Sequence, residues 1–79
     1  MKIFRERLRE TRIDRGLSQK QLAEIIKTTN SSISDWENGR SQPDLATIVR
    51  LALSFDVSVD YLLGLEDETG QKIKPSFLP

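Results

Sequence analysis

Between Ser18 and Gly39 the apolar positions fall into two short helical stripes separated by a polar turn. In SQKQLAEIIKTTNSSISDWENG, Leu22, Ala23 and Ile26 recur at i, i+1 and i+4, and Ile33 and Trp36 follow on a second stripe. Ser18 and Gln21 have the form of a capping box, with Leu17 and Leu22 at the spacing of a hydrophobic staple. Lys27 and Thr28 make the turn, and Thr29 is the next candidate N-cap. Two short helices joined this tightly must cross, and Ala23 in the first stripe allows a close approach. The outer face of the second helix, Asn30, Ser31, Ser34, Asp35 and Asn38, is entirely polar, and Gly39 supplies the left-handed residue that stops it.

The rest of the pattern supports this pair. A first helix is predicted over about Ile3 to Arg15, ending at Gly16, with Phe4 and Leu8 inward and a cluster of arginines elsewhere. Pro43 and the Asp44 cap open a fourth helix whose Leu45, Ile48, Leu51, Ala52 and Phe55 read as a buried stripe. Ser58 caps a fifth, stapled by Val57 and Leu62 and closed by Gly64. The Leu62–Leu63 pair exceeds the internal needs of so small a helix and suggests a subunit contact. The expected architecture is all-α, a five-helix domain over residues 1–64 with a tail over 65–79. That tail sustains no periodicity. It reads as a frayed terminus, or as a segment whose Ile73, Phe77 and Leu78 pack on the domain or on a partner.

Composition narrows the function. With 79 residues the chain is one small domain, and it has neither cysteine nor histidine. Disulfides, thiolate and imidazole metal sites and the commonest general base are thereby removed, so no metal and no cofactor are expected. Scattered carboxylates and arginines on helix surfaces offer no converging catalytic set, so an enzyme is rejected. No apolar run approaches a membrane span, and the cytoplasm or nucleoid is the expected address. Net charge is zero but unevenly spread: residues 1–16 carry six bases against three acids, and residues 44–79 carry three against six. A molecule polarised in this way can present a basic face to phosphate while binding nucleic acid weakly without sequence preference.

GLSQKQLA at Gly16 to Ala23, TTNSSISDWENGR at Thr28 to Arg40, Pro43, and LSFDVSVDYLL at Leu53 to Leu63 together resemble the Cro and phage-repressor (Xre-like) helix-turn-helix regulators. The resemblance covers about Leu8 to Gly64. It implies a recognition helix over about Thr29 to Asn38, lying in a major groove. By the same resemblance Gln19, Asn30, Ser31 and Asp35 face bases, and Arg12, Thr29, Ser34, Asn38, Arg40 and Ser41 face phosphates. Arg12 is also implied to pair with Glu37. Asn30 and Gln19 suit adenine, and Asp35 has three readings: acceptance from cytosine N4, an arginine partner within the chain, or rejection of wrong sequences. Lys27 departs from the glycine that many relatives carry, which means a strained turn or one that avoids positive φ.

The expected function is a transcriptional regulator, a repressor, binding a double-stranded DNA operator as a homodimer. The alternative is an antitoxin or protein-interaction module of the same fold, with a toxin or co-regulator as partner.

Overall fold

The computed structural model describes residues 2–73, which form five α-helices. They are α1 (Lys2–Asp14), α2 (Gln19–Ile26), α3 (Asn30–Glu37), α4 (Leu45–Phe55) and α5 (Val59–Leu63). No strand is present among the described residues beyond a single antiparallel bridge between Glu66 and Lys72.

Local chemistry sets where each helix begins. The Ser18 hydroxyl accepts the Gln21 N–H at 3.0 Å while the Gln21 side chain accepts the Ser18 N–H at 2.8 Å, closing the capping box. Thr29, Asp44 and Ser58 accept backbone N–H groups of Ser32, Thr47 and Tyr61 in the same way, each satisfying a donor that a helix start leaves free.

The helix ends also share one device. Gly16, Lys27, Gly39, Asp56 and Gly64 all have positive φ, and the residue after each donates back across the last turn, as Thr28 does to Ala23 at 2.9 Å and Arg40 to Asp35 at 2.9 Å. Lys27, at φ 61°, and Asp56, at φ 58°, occupy the left-handed region despite their Cβ atoms, and of the two lysine is the less suited to it, so the turn between α2 and α3 carries strain.

Inside, Phe4 and Leu8 of α1, Leu22, Ala23 and Ile26 of α2, Ile33 and Trp36 of α3, and Ile48, Leu51, Ala52 and Phe55 of α4 enclose one core with Leu62. Leu17 and Val57, the outer halves of the two staples, pack against it. Leu45 is a correction to the sequence reading: it is 68% exposed rather than buried. At the first position of α4 it lies in register with Val49 and Leu53, at i+4 and i+8, and these three form an apolar stripe on the solvent side. Leu62 is buried and Leu63 packs partly on the core, whereas the α4 stripe is exposed, as are Ile3, Ile13 and Ile25 singly on α1 and α2.

After α5 the chain doubles back. Ile73 N–H reaches the Leu65 carbonyl at 2.9 Å, and the Asp67 carboxylate accepts from Thr69 and Gln71 within the turn. Arg7 fastens this segment to α1: its guanidinium stacks 4.3 Å from the Tyr61 ring centroid and donates to the Tyr61 and Glu66 carbonyls. Phe77 and Leu78 lie outside the described residues.

Lys27→Gly should raise the urea midpoint, with a net gain below about 1 kcal/mol after the extra freedom glycine gives the unfolded chain. A midpoint lowered by the full cost of glycine's unfolded-state freedom, about 0.4–1 kcal/mol, would show that the lysine is accommodated without strain.

Candidate nucleic-acid interface

Two faces of α3 do different work. Ile33 and Trp36 anchor it in the core, and Glu37, its last residue, is buried although charged. The outer face presents Asn30 and Ser31 exposed, with Ser34 and Asp35 half-buried beside them. These short side chains end in hydrogen-bonding groups and leave the backbone free to come close to a base edge.

Glu37 joins three helices. Arg12 of α1 donates through Nε to Oε2 at 2.6 Å and through Nη2 to Oε1 at 3.1 Å. Gln19, the first residue of α2, donates to Oε1 at 3.3 Å, and Arg9 of α1 donates to the same oxygen at 3.4 Å. Arg12 Nη1 also holds the Leu17 carbonyl at 2.8 Å, which fixes the loop leading into α2. Burial pushes the Glu37 carboxyl up. Hydrogen bonds from Arg12 and Gln19, the Arg12 charge and the Arg9 hydrogen bond outweigh it and hold the group below the usual carboxylate range.

The remaining site residues are placed as follows. Gln19 has one amide N–H directed to Glu37, so its orientation is set by a buried charge. The Thr29 hydroxyl is committed twice to Ser32, as cap and as donor. Asn38 closes α3 by donating to the Ser34 carbonyl at 2.8 Å and hydroxyl at 3.3 Å, and it accepts from Arg9 at 3.3 Å. Arg40 and Ser41 are exposed in the loop to α4, and Arg40 Nη1 lies 3.4 Å from Asp35 Oδ1. Asp35 therefore has an arginine neighbour within the chain, in a loose and largely solvated pair.

Arg12 is differently placed from the other residues expected at phosphate. Each of its three nitrogens is engaged inside the protein and its side chain is 13% exposed, which leaves it little reach toward a ligand. The sequence reading also passed over Arg5 and Arg9. With Arg12 they fall at i, i+4 and i+7, one stripe along α1 directed at the end of α3. Arg5 lies over Gly39, whose positive φ of 76° is what favours glycine there. No group of three or more carboxylates among the described residues is arranged to hold a metal ion.

Residues 8–62 match the model of the Helix-turn-helix family. The chain belongs to that family. It is 40% identical over 72 residues to the uncharacterized HTH-type transcriptional regulator YobD of Bacillus subtilis, spanning 91% of this chain and 64% of that protein. It is 37% identical over 73 residues to the HTH-type transcriptional regulator ImmR of the same organism, spanning 92% of this chain and 57% of that protein. Among solved structures the fold is similar to the P22 c2 repressor in complex with a synthetic operator. There the TM-score is 0.73 at 27% identity, covering 78% of this chain and 94% of that one. The chain thus spans roughly three fifths of the length of these two curated relatives. In this helix-turn-helix, α2 and α3 are the crossing pair and α1 is the brace behind them.

The Glu37 cluster has a pH signature. A lowered native pKa stabilises the fold fully above the unfolded value near 4.5, and that contribution is lost as pH falls through the native value. Glu37→Gln should cost roughly 3–5 kcal/mol at neutral pH by leaving Arg12 unpaired, and should show a smaller acid-induced loss than the wild type. Urea midpoints at neutral and acid pH measure both. Equal stability at neutral pH would show that the pair does not hold the helices.

Proposed function

We propose that the protein is a sequence-specific transcriptional regulator that binds double-stranded DNA, with α3 in the major groove. One observation carries this reading: α3 is locked from behind by a core and a buried ion pair, while its free face carries only short hydrogen-bonding side chains. The P22 c2 repressor, of similar fold, is seen with an operator, which supports the same placement here. In this arrangement Asn30 and Ser31 meet base edges, Gln19 and Asp35 flank them, and the N-terminus of α2 meets phosphate with its free N–H groups. Asn38, Arg40 and Ser41 lie along the adjoining backbone. Occupying the groove excludes polymerase without any further contact, so repression is the simplest outcome.

Reach argues for two copies. Eight helical residues span about 12 Å, the rise of only three or four base pairs, and discrimination of about 1–3 kcal/mol per pair is too little for a single head to select a site. The exposed stripe of Leu45, Val49 and Leu53 supports a homodimer contact. Two α3 helices about 34 Å apart would then read an inverted repeat. The same stripe is what favours the second reading, an antitoxin or co-regulator-binding module in which this face takes another protein.

Selection of bound duplexes from a random library at two salt concentrations tests the function. The expected product is an enriched inverted repeat with half-sites one helical turn apart, whereas no enrichment even at low salt would sink the DNA reading in favour of the protein-interaction one. Leu53→Asp should leave the helical circular dichroism unchanged and weaken binding to the full repeat by roughly 100-fold through lost avidity. Undiminished binding by that variant would remove the α4 stripe from the dimer contact.

A further inference from the structure

Arg9 is the loosely held member of the Glu37 cluster. Oε1 of Glu37 faces three donors, Arg12 at 3.1 Å, Gln19 at 3.3 Å and Arg9 at 3.4 Å, while Oε2 has Arg12 at 2.6 Å. A carboxylate oxygen has two lone pairs, so a third donor exceeds its capacity. The longest contact can therefore be given up without leaving a buried acceptor unpaired. The second Arg9 contact, Nη2 to Asn38 Oδ1 at 3.3 Å, is also long.

Charge makes the same distinction. The single negative charge of Glu37 is met at close range by Arg12, whose side chain is 13% exposed, whereas that of Arg9 is 49% exposed. Arg9 thus carries a positive charge that this cluster does not neutralise, and it carries it beside Asn38, at the end of α3. A shallow depression of about 530 Å³ lies there, lined by Arg5, Glu6, Arg9, Glu10, Glu37 and Asn38. Glu6 and Glu10 make its interior unfavourable to a free anion. A phosphate held on a rigid duplex would meet the Arg9–Asn38 rim without entering that interior.

We propose that Arg9 is a phosphate-gripping residue of the DNA interface, held extended in the free protein by the spare contact to Glu37 and transferred to the DNA backbone when a duplex seats on α3. Arg12 stays on Glu37 throughout, so α3 keeps its orientation while Arg9 moves. This inference rests on the DNA-binding reading.

The test is the salt dependence of binding, measured by fluorescence anisotropy on the duplex recovered by selection and on one of scrambled sequence. Arg9→Gln should lower the slope of log K against log salt by about 0.9 in magnitude for each bound subunit, so by about 1.8 for the homodimer, alike on both duplexes, and Arg9→Lys should restore it. A structural role would move the thermal midpoint and not the slope. An unchanged slope in Arg9→Gln, with the wild type binding, overturns this proposal alone. Loss confined to the selected duplex also overturns it, because a phosphate contact carries no sequence information. A wild type that binds neither duplex overturns the DNA reading together with it.

Discussion

The orientation of α3 depends on one buried carboxylate. Glu37 stands at the last position of an eight-residue helix, where both burial and the negative end of the helix dipole oppose its charge. Arg12 and Gln19 reverse that balance, with Arg9 adding the least, and because Arg12 comes from α1 while Gln19 comes from α2, satisfying the charge ties three helices together. Apolar contacts from Ile33 and Trp36 would tolerate small rotations of α3 about its axis. A bidentate guanidinium does not, since both of its N–H vectors must stay aligned with the two oxygens. Burial draws α3 into place, and the ion pair fixes which residues look outward.

Short helices are marginal alone, and α2, α3 and α5 have eight, eight and five residues. Their ends therefore matter as much as their faces. A cap at the start and a left-handed residue with a back-bonded N–H at the finish satisfy backbone groups that a longer helix would satisfy internally. The same device makes each turn short, and short turns hold α2 and α3 at a fixed crossing.

Features settled by neighbours in the chain are legible in the amino-acid sequence. The Ser18 capping box, the Thr29, Asp44 and Ser58 caps and the inward stripes of α2 and α3 all rest on residues within four positions of one another. Leu45 is misplaced by the sequence pattern because a leucine at the start of a helix fits either of two stripes, and only the position of α2 and α5 decides between them. The contacts of Gln19 and Arg9 with Glu37 are hidden for a related reason: they join residues 18 and 28 positions apart, and no local pattern records which side chains share a carboxylate. The turn after α5 escapes the pattern because Asp67, Thr69 and Gly70 form it through side-chain and backbone hydrogen bonds without any apolar periodicity.

Three of the arginines in the first sixteen residues are engaged within the fold. Arg7 is committed to Tyr61 and the Glu66 carbonyl, Arg12 to Glu37 and Leu17, and Arg15 to the Phe55 carbonyl at 2.8 Å. The basic excess of the first sixteen residues therefore serves in large part to fasten α1 to the rest of the fold. Arg5, which lies over Gly39, and Arg9, beside Asn38, also stand at the end of α3. A count of bases would overstate the attraction to DNA, since a guanidinium held by carbonyls and a carboxylate releases few counterions. On the proposed placement of α3, weak attraction to arbitrary sequence would leave discrimination to the side chains of its outer face, raising the ratio of specific to nonspecific binding even where absolute affinity is modest.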